Sequence, residues 1–159
     1  MRVGIKDASA FEQAAREIRE SVRQYAPQAQ LDGLLVQQME GRLLELILGY
    51  RNDALVGPTI ILGAGGITAE ISPDFAIRLA PVTLEQARAM IDEVRITALI
   101  KGFRGLPKGD IEALAQTVVA FSRLAAVQGV AVQEAEINPL FVQENGAVAV
   151  DGLIRLGDA

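Results

Sequence analysis

The chain has 159 residues, half of them hydrophobic, and a formal net charge of −5. This length suffices for one domain with its own core, and the acidic balance argues against nucleic acid or an anionic membrane as a partner. Cysteine and histidine are both absent, which excludes disulfides, cysteine-ligated metals and a histidine general base in this chain. No apolar run approaches the roughly 20 residues of a transmembrane helix and no signal-peptide pattern occurs, so we expect a cytoplasmic protein.

The first third of the sequence predicts a helix among strands. A short edge strand is expected at residues 2–6, followed by an amphipathic helix that opens with a capping box from Ser9 to Glu12 and ends before Pro27. Residues 31–39, 43–50 and 59–62 have strand patterns. Glu45 interrupts the apolar run of the second of these strands, and the pattern alone favours a surface position on a half-exposed strand.

A glycine-rich stretch, Gly63-Ala64-Gly65-Gly66, follows the strand at 59–62. It lacks the Gly-Lys-Ser/Thr ending of a P-loop, and the third glycine of a dinucleotide fingerprint would fall on Thr68. Residues 67–71 and 75–80 alternate like strands, so no helix opens after the loop. Two interpretations stay open: a tight turn, or a place where the backbone closely approaches a ligand.

The middle of the chain predicts two more helices. Thr83 and Gln86 form a second capping box before an amphipathic stripe, and Asp110 caps a third helix that Gly129 is expected to close. Between the two helices lies the most basic and glycine-rich loop, residues 101–109. Three helices with six to eight strands in antiparallel order predict one α+β domain over residues 1–159, with a mostly antiparallel sheet and helices packed on it.

The last predicted element is a hairpin. Asn145-Gly146 stands between two apolar runs and predicts a type I′ turn. That turn would place Leu140 opposite Asp151 and make Asn138 and Asp151 diagonal neighbours on one face.

Glu136 lies one step further along the same face as Asn138. Two carboxylates and an amide are hard oxygen ligands that suit Mg²⁺ rather than zinc. The alternative is the polar outer face of an ordinary edge hairpin, which Pro139 favours.

A series of short motifs extends along nearly the whole chain: Val36-Gln-Gln-Met39, Glu45-Leu-Ile-Leu-Gly49, Asp53, Gly57-Pro58, Gly63-x-Gly65-Gly66, Ala80-Pro81, Gly102-x-Arg104-Gly105-x-Pro107, Glu136-Ile-Asn138-Pro-Leu140 and Asp151-Gly152. Together they resemble the C-terminal lobe of the ATP-grasp domain of nucleoside-diphosphate-forming acyl-CoA synthetases of the acetyl-CoA and succinyl-CoA type. The resemblance includes the CoA-ligase-like regions fused to some protein acetyltransferases.

The resemblance implies ATP/ADP and Mg²⁺ as cofactors and a role for eight residues. Val36, Gln37, Gln38 and Met39 would form the hinge whose backbone meets adenine, and Glu45 would hold the ribose hydroxyls. Asn138 and Asp151 correspond to the Mg²⁺ ligands, with Glu136 beside them. For Gly65, Gly66 and Arg104 the resemblance assigns no role, and structural turns are an equal alternative there.

The resemblance also implies an incomplete enzyme. The family's N-terminal ATP-grasp lobe, with its phosphate-binding lysine, would precede Arg2, and CoA-binding and CoA-ligase domains would be further partners. The complete enzyme would convert a carboxylate, CoA and ATP to acyl-CoA, ADP and phosphate, with this lobe inactive alone. The alternatives are a ligand-sensing or scaffold module fused to an acetyltransferase, and a carboxylate–amine ligase. A bare apolar sheet face would favour a homo-oligomer.

Overall fold

The computed structural model describes residues 1–66 and 73–157. The chain divides into two compact units, Met1–Glu40 and Gly41–Ala159. Within the described residues, no helix combines the length and the apolar character needed to cross a bilayer.

The first unit contains one long helix, α1 (Ala8–Tyr25). Asp7, in extended conformation, caps it: its side chain accepts a hydrogen bond from the N–H of Ala10 at 2.8 Å. The predicted capping box at Ser9 is therefore wrong, because Ser9 already lies inside the helix. The predicted end before Pro27 is confirmed.

The two strands predicted in this unit, at residues 2–6 and 31–39, are not observed. A strand needs a neighbouring strand to satisfy its backbone groups. Among the described residues of the first unit, α1 is the only regular element, so both segments remain irregular. Their alternating sequence patterns were therefore not sufficient to form strands.

The second unit is built on a sheet in which every pairing is antiparallel. Its described strands are β1 (Leu44–Asp53), β2 (Gly57–Ala64), β3 (Phe75–Leu79), β4 (Val132–Val142), β5 (Ala147–Ala149) and β6 (Gly152–Leu156). Their order is β3-β2-β1-β4-β5, and β6 also pairs with β4. The predicted antiparallel α+β fold is confirmed, whereas the strand expected at 67–71 lies outside the described residues.

Two helices pack on one face of this sheet. Helix α2 (Leu84–Glu93) begins with the predicted capping box of Thr83 and Gln86. Helix α3 (Ile111–Ser122) is capped by Asp110, also as predicted. Closure at Gly129 is wrong, because α3 passes into a 3₁₀ turn at Arg123–Ala126. Two further 3₁₀ turns, Arg95–Ile100 and Phe103–Gly105, join α2 to α3.

Burial along β1 alternates from Leu44 to Arg51 and separates the two faces of the sheet. The inward residues Leu44, Leu46, Leu48 and Tyr50 are buried, and the first three join the core with residues of α2 and α3. The alternate residues Glu45, Ile47, Gly49 and Arg51, and the residues beside them on neighbouring strands, form the open face. These four β1 residues are half-buried to exposed, whereas their partners Gly63 and Phe141 are buried. Period-two burial of this kind is the expected consequence of covering one side of an antiparallel sheet.

Pro139 does not mark an edge strand, since β4 lies between β1 and the β5/β6 side of the sheet. The register of β1 with β4 shifts between Leu46↔Leu140 and Leu48↔Ile137. Two residues, Asn138 and Pro139, therefore face the single residue Ile47, which is a β-bulge. A bulge tolerates a proline in an interior strand because the ladder is already interrupted there.

The predicted hairpin register is also wrong, by two residues. Leu140 pairs with Ala149 and Val142 with Ala147, so the connection is the four-residue loop 143–146. Tertiary contacts explain the longer loop: Asp110 donates its N–H to the carbonyl of Gln143 and accepts the N–H of Gly146. The shift of two positions by itself preserves the faces, but the bulge reverses them beyond Pro139, so that Glu136 lies on the open face whereas Leu140 is buried in the core.

Candidate functional site

The three predicted metal ligands come together at the bulge of β4. Glu136 pairs with Gly49 of β1 and so belongs to the open face. The side-chain amide of Asn138 donates to the Glu136 carboxylate at 2.9 Å. The backbone N–H of Asn138 donates to the carbonyl of Asp151 at 3.1 Å. Asn138 and Asp151 are thus direct neighbours rather than the predicted diagonal pair.

The chemistry of this trio fits a hard cation. Asn138 uses its amide nitrogen toward Glu136, and Asp151 uses one carboxylate oxygen to accept the N–H of Gly152 at 2.8 Å. The side-chain oxygen of Asn138 and the second carboxylate oxygen of Asp151 stay available to a cation, and all three residues are exposed. Within the described ranges no three acidic, histidine or cysteine side chains form a metal cage. Mg²⁺ is usually bound by only a few protein ligands, with the remaining positions left to water and phosphate oxygens.

Glu45 lies on the open face of β1, with its side chain 26% exposed. The half-exposed position predicted from the pattern is therefore confirmed, while its role toward ribose remains a prediction. Its carboxylate lies 3.1 Å from Nε of Arg42, whose guanidinium stacks over the ring of Phe141 at 4.7 Å from the centroid. The neighbouring cation holds the carboxylate near the start of the strand.

The described part of the glycine loop approaches Glu45 itself. Gly65 donates its N–H to the carbonyl of Glu45 at 3.0 Å, and a Cβ added to Gly65 would lie 3.0 Å from the C, O and Cγ atoms of Glu45. Gly66 has φ +65° and lies against the same carboxylate. The sequence left open a tight turn or a close approach of the backbone to a ligand. The structure shows a close approach of Gly65 to β1, which leaves no space for a Cβ.

The predicted hinge, Val36 to Met39, belongs to the first unit and is exposed. Val36, Gln37 and Met39 line a cavity of about 220 Å³ in that unit, together with residues of the N-terminal segment and α1. Gln38 is not among the lining residues. The segment is irregular and exposed, and its backbone contact with adenine stays a prediction.

Two depressions on the open face were not predicted from the sequence. One, of about 270 Å³, contains Glu136 and is lined by Gly49, Tyr50, Arg51, Thr59, Ile61, Glu134, Ala135, Glu136, Leu153 and Arg155. The other, of about 220 Å³, is lined by Ile47, Ile61, Gly63, Ala64, Pro73, Asp74 and Phe75. The lining residues of the first depression come from strands far apart in the chain, so the sheet register brings them together.

Asp74, which sequence reasoning passed over, anchors the turn after α2. Its carboxylate accepts the backbone N–H groups of Arg95 and Ile96 at 2.9 and 2.8 Å, and its side chain is only 11% exposed. Burial raises the pKa of Asp74, but the hydrogen bonds from these backbone groups and from the Arg95 guanidinium outweigh it, so the pKa lies below its ordinary value. Asp74 is therefore held in its charged form.

Comparison with known proteins identifies the family. Residues 1–156 match the ATP-grasp domain family. The chain belongs to the ATP-grasp family. Within it, this ATP-grasp chain is similar to the beta subunit of ADP-forming acetate–CoA ligase I of Pyrococcus furiosus, with 36% identity over 98% of this chain and 67% of the relative. The ADP-forming acetate–CoA ligase I of Archaeoglobus fulgidus is 35% identical over 99% of this chain and 22% of the relative.

Solved structures agree with this assignment. Acetyl-coenzyme A synthetase 1 of Candidatus Korarchaeum cryptofilum, in complex with coenzyme A and Ca-AMPCP, matches with a TM-score of 0.90 and 33% identity over 98% of this chain and 68% of that chain. The ATP-grasp chain thus spans about two thirds of the separate beta subunit and about a fifth of the single-chain ligase.

Proposed function

We propose that this chain is the nucleotide-binding C-terminal lobe of an ADP-forming acyl-CoA synthetase. The complete enzyme would join a carboxylate to CoA with conversion of ATP to ADP and phosphate. The supporting observation is that Glu45 and Glu136 lie on the same open face of one sheet. Gly49, which pairs with Glu136, is four residues beyond Glu45 on β1, or roughly 13 Å at the rise of a strand.

In this proposal the nucleotide lies along the open face. Glu45 of the second unit holds the ribose hydroxyls. For the first unit, taken by itself, we propose that the backbone of Val36, Gln37, Gln38 and Met39 contacts adenine. Asn138 and Asp151 would hold Mg²⁺, with Glu136 beside them. Mg²⁺, when bound, neutralises charge on the phosphate oxygens. The residues of this lobe bind and orient, and none is proposed to form a covalent bond.

Other domains would supply the rest of the enzyme. In the single-chain relative the matched region is 22% of the length, which supports an N-terminal ATP-grasp lobe, a CoA-binding domain and a CoA-ligase domain as partners. One solved neighbour is described with Mg-AMPPCP and a phosphohistidine segment pointing towards its nucleotide binding site. This chain contains no histidine, so we propose that a partner domain brings such a segment. Self-association through the open face is a further proposal, which light scattering tests.

Calorimetric titration with Mg·ADP tests the nucleotide site. We expect Asn138→Ala combined with Asp151→Ala to weaken binding at least about tenfold, since two of three metal-facing groups are removed. Asn145→Ala combined with Asp92→Ala is the matched control, because it removes the same two residue types at exposed positions away from the site. The control should bind like the wild type.

Unchanged binding in the Asn138/Asp151 variant would contradict the proposal and favour the ligand-sensing or scaffold alternative. A wild-type chain that does not bind Mg·ADP would also contradict it. Formation of acyl-CoA by this chain alone would contradict its assignment as an incomplete lobe. Product analysis with amines in place of CoA tests the carboxylate–amine ligase alternative in the complete enzyme.

A further inference from the structure

Two rows of paired residues cross the open face at the depression that contains Glu136. In the first row Gly49, Glu136 and Leu153 lie on β1, β4 and β6. In the next row Arg51, Glu134 and Arg155 occupy the same three strands. The rows are two residues apart, about 7 Å along the strands. The arginines therefore lie beyond Glu136, on the side away from Glu45.

The second row places two cations around one carboxylate. Nη2 of Arg155 lies 3.0 Å from Glu134, whereas Nε of Arg51 is 3.9 Å from the other oxygen of the same group. Both arginine side chains are about two thirds exposed, at 67% and 65%. Exposed ion pairs of this kind contribute little to stability. The row itself, with two arginines and Glu134, has a net charge of +1, while Glu136 in the same depression belongs to the proposed metal-facing group.

Gly49, which has no side chain, lines the depression and leaves space in it. A Cβ added to Gly49 would lie 2.7 Å from Cγ2 of Ile61, so a side chain at position 49 would displace its neighbour. The resulting space of about 270 Å³ is bordered by Arg51 and Arg155 at one end and contains Glu136.

We propose that Arg51 and Arg155 bind a terminal phosphate group on the far side of the metal-facing residues. Planar guanidinium groups match phosphate oxygens with paired hydrogen bonds, and a doubly charged phosphate competes well for cations that share one carboxylate. The inference rests on the proposed nucleotide site, since it orders the ligand from Glu45 past Glu136 to the arginines. The phosphate is either the terminal group of a bound triphosphate or a separate phosphate beside a bound diphosphate.

The test compares three ligands in the presence of Mg²⁺: the non-hydrolysable triphosphate AMPPCP, ADP, and inorganic phosphate added to the ADP complex. Arg51→Gln and Arg155→Gln should each weaken binding of AMPPCP, or of added phosphate, about tenfold, which corresponds to one lost charge-assisted interaction. Affinity for Mg·ADP should change less than about twofold. Loss with AMPPCP identifies the nucleotide as the source, and loss with added phosphate identifies a separate group.

Two further variants sharpen the comparison. Arg88→Gln is the matched control, because Arg88 is a similarly exposed arginine paired with Glu112 at 2.7 Å between α2 and α3; it should bind all three ligands like the wild type. Glu134→Gln removes the shared carboxylate and should raise affinity for AMPPCP or phosphate about threefold, since both cations are released. A merely structural role for this row would give no such gain.

The inference is overturned if Arg51→Gln and Arg155→Gln behave like Arg88→Gln with AMPPCP and phosphate, or if they weaken Mg·ADP equally. In that event Mg·ADP binding that still depends on Asn138 and Asp151 would leave the proposed function standing. Absence of Mg·ADP binding by the wild type would instead overturn the proposed function. Thermal unfolding of each variant verifies that the affinity changes come from folded protein.

Discussion

Replacing Gly65 by alanine tests whether the glycine loop must lie directly against β1. The added Cβ would meet the C and O atoms and the Cγ atom of Glu45, all at 3.0 Å. Two of these atoms are backbone atoms of a paired strand and cannot rotate away. We expect the loop or β1 to shift, at a cost of about 1–3 kcal/mol, as in other overpacked sites.

For a domain of this size each kcal/mol corresponds to roughly 2–4 °C in Tm, so Gly65→Ala should lower Tm by about 2–12 °C. Thermal unfolding followed by circular dichroism measures this. The matched control is Gly41→Ala, where an added Cβ meets nothing within 4 Å. Because alanine restricts the unfolded chain more than glycine does, the control should be neutral or stabilising by up to about 1 kcal/mol.

A Glu45→Ala background separates the two parts of the contact. It removes Cγ contacts but leaves the backbone C and O atoms in place, so Gly65→Ala should still destabilise the Glu45→Ala protein, although by less. Equal stability of Gly65→Ala and the wild type would refute the close approach. Equal loss at Gly41 and Gly65 would show that the effect does not come from contact with Glu45.

Three further substitutions probe the scaffold that positions the open face. Leu140→Ala removes a fully buried side chain and should cost about 2–5 kcal/mol in urea unfolding, whereas Leu55→Ala, 95% exposed, should change stability by less than about 0.5 kcal/mol. Although burial raises the pKa of Asp74, hydrogen bonds from the backbone N–H groups of Arg95 and Ile96 and from the Arg95 guanidinium hold this pKa below its ordinary value in the folded chain. The contribution of the Asp74 carboxylate to the free energy of unfolding is therefore complete above the unfolded-state pKa and disappears as pH falls through the folded-state pKa. Asp74→Asn should lower the stability by about 2 kcal/mol near neutral pH. In acid, the unfolding curves of the variant and the wild type should converge. Asp110→Ala removes the acceptor for the N–H groups of Ala113 and Gly146 at 2.9 and 3.0 Å and should cost about 1–2 kcal/mol; a loss confined to helix content, with unchanged amide exchange at Gly146, would contradict the clamp on the hairpin loop.

Local patterns were sufficient where the interaction itself is local. The caps at Thr83 and Asp110 were predictable because each side chain bonds a backbone N–H three residues ahead. The alternation around Glu45 predicted its half-exposed face because successive strand residues point to opposite sides. The resemblance of the last strands to the ATP-grasp acyl-CoA synthetases also rests on short stretches of consecutive residues.

The register and the pairing of the strands depended on tertiary contacts that cannot be read from the sequence. The hairpin loop is four residues rather than two because Asp110, on another element, holds both of its ends. Pro139 lies in an interior strand because a bulge opposite Ile47 accommodates it. The N-terminal segments failed to form strands because no ladder partner was available in their unit.

The sequence alone therefore determined the fold class and two of the helix caps, since these follow from periodicity and short-range hydrogen bonding, and the metal-facing role of Glu136, Asn138 and Asp151 stays a prediction. Only the tertiary structure aligned Arg51, Glu134 and Arg155 in one row beside Glu136. The physical reason is that cross-strand neighbours are fixed by the hydrogen-bond register of the whole sheet, and a shift of one residue would send each side chain to the opposite face.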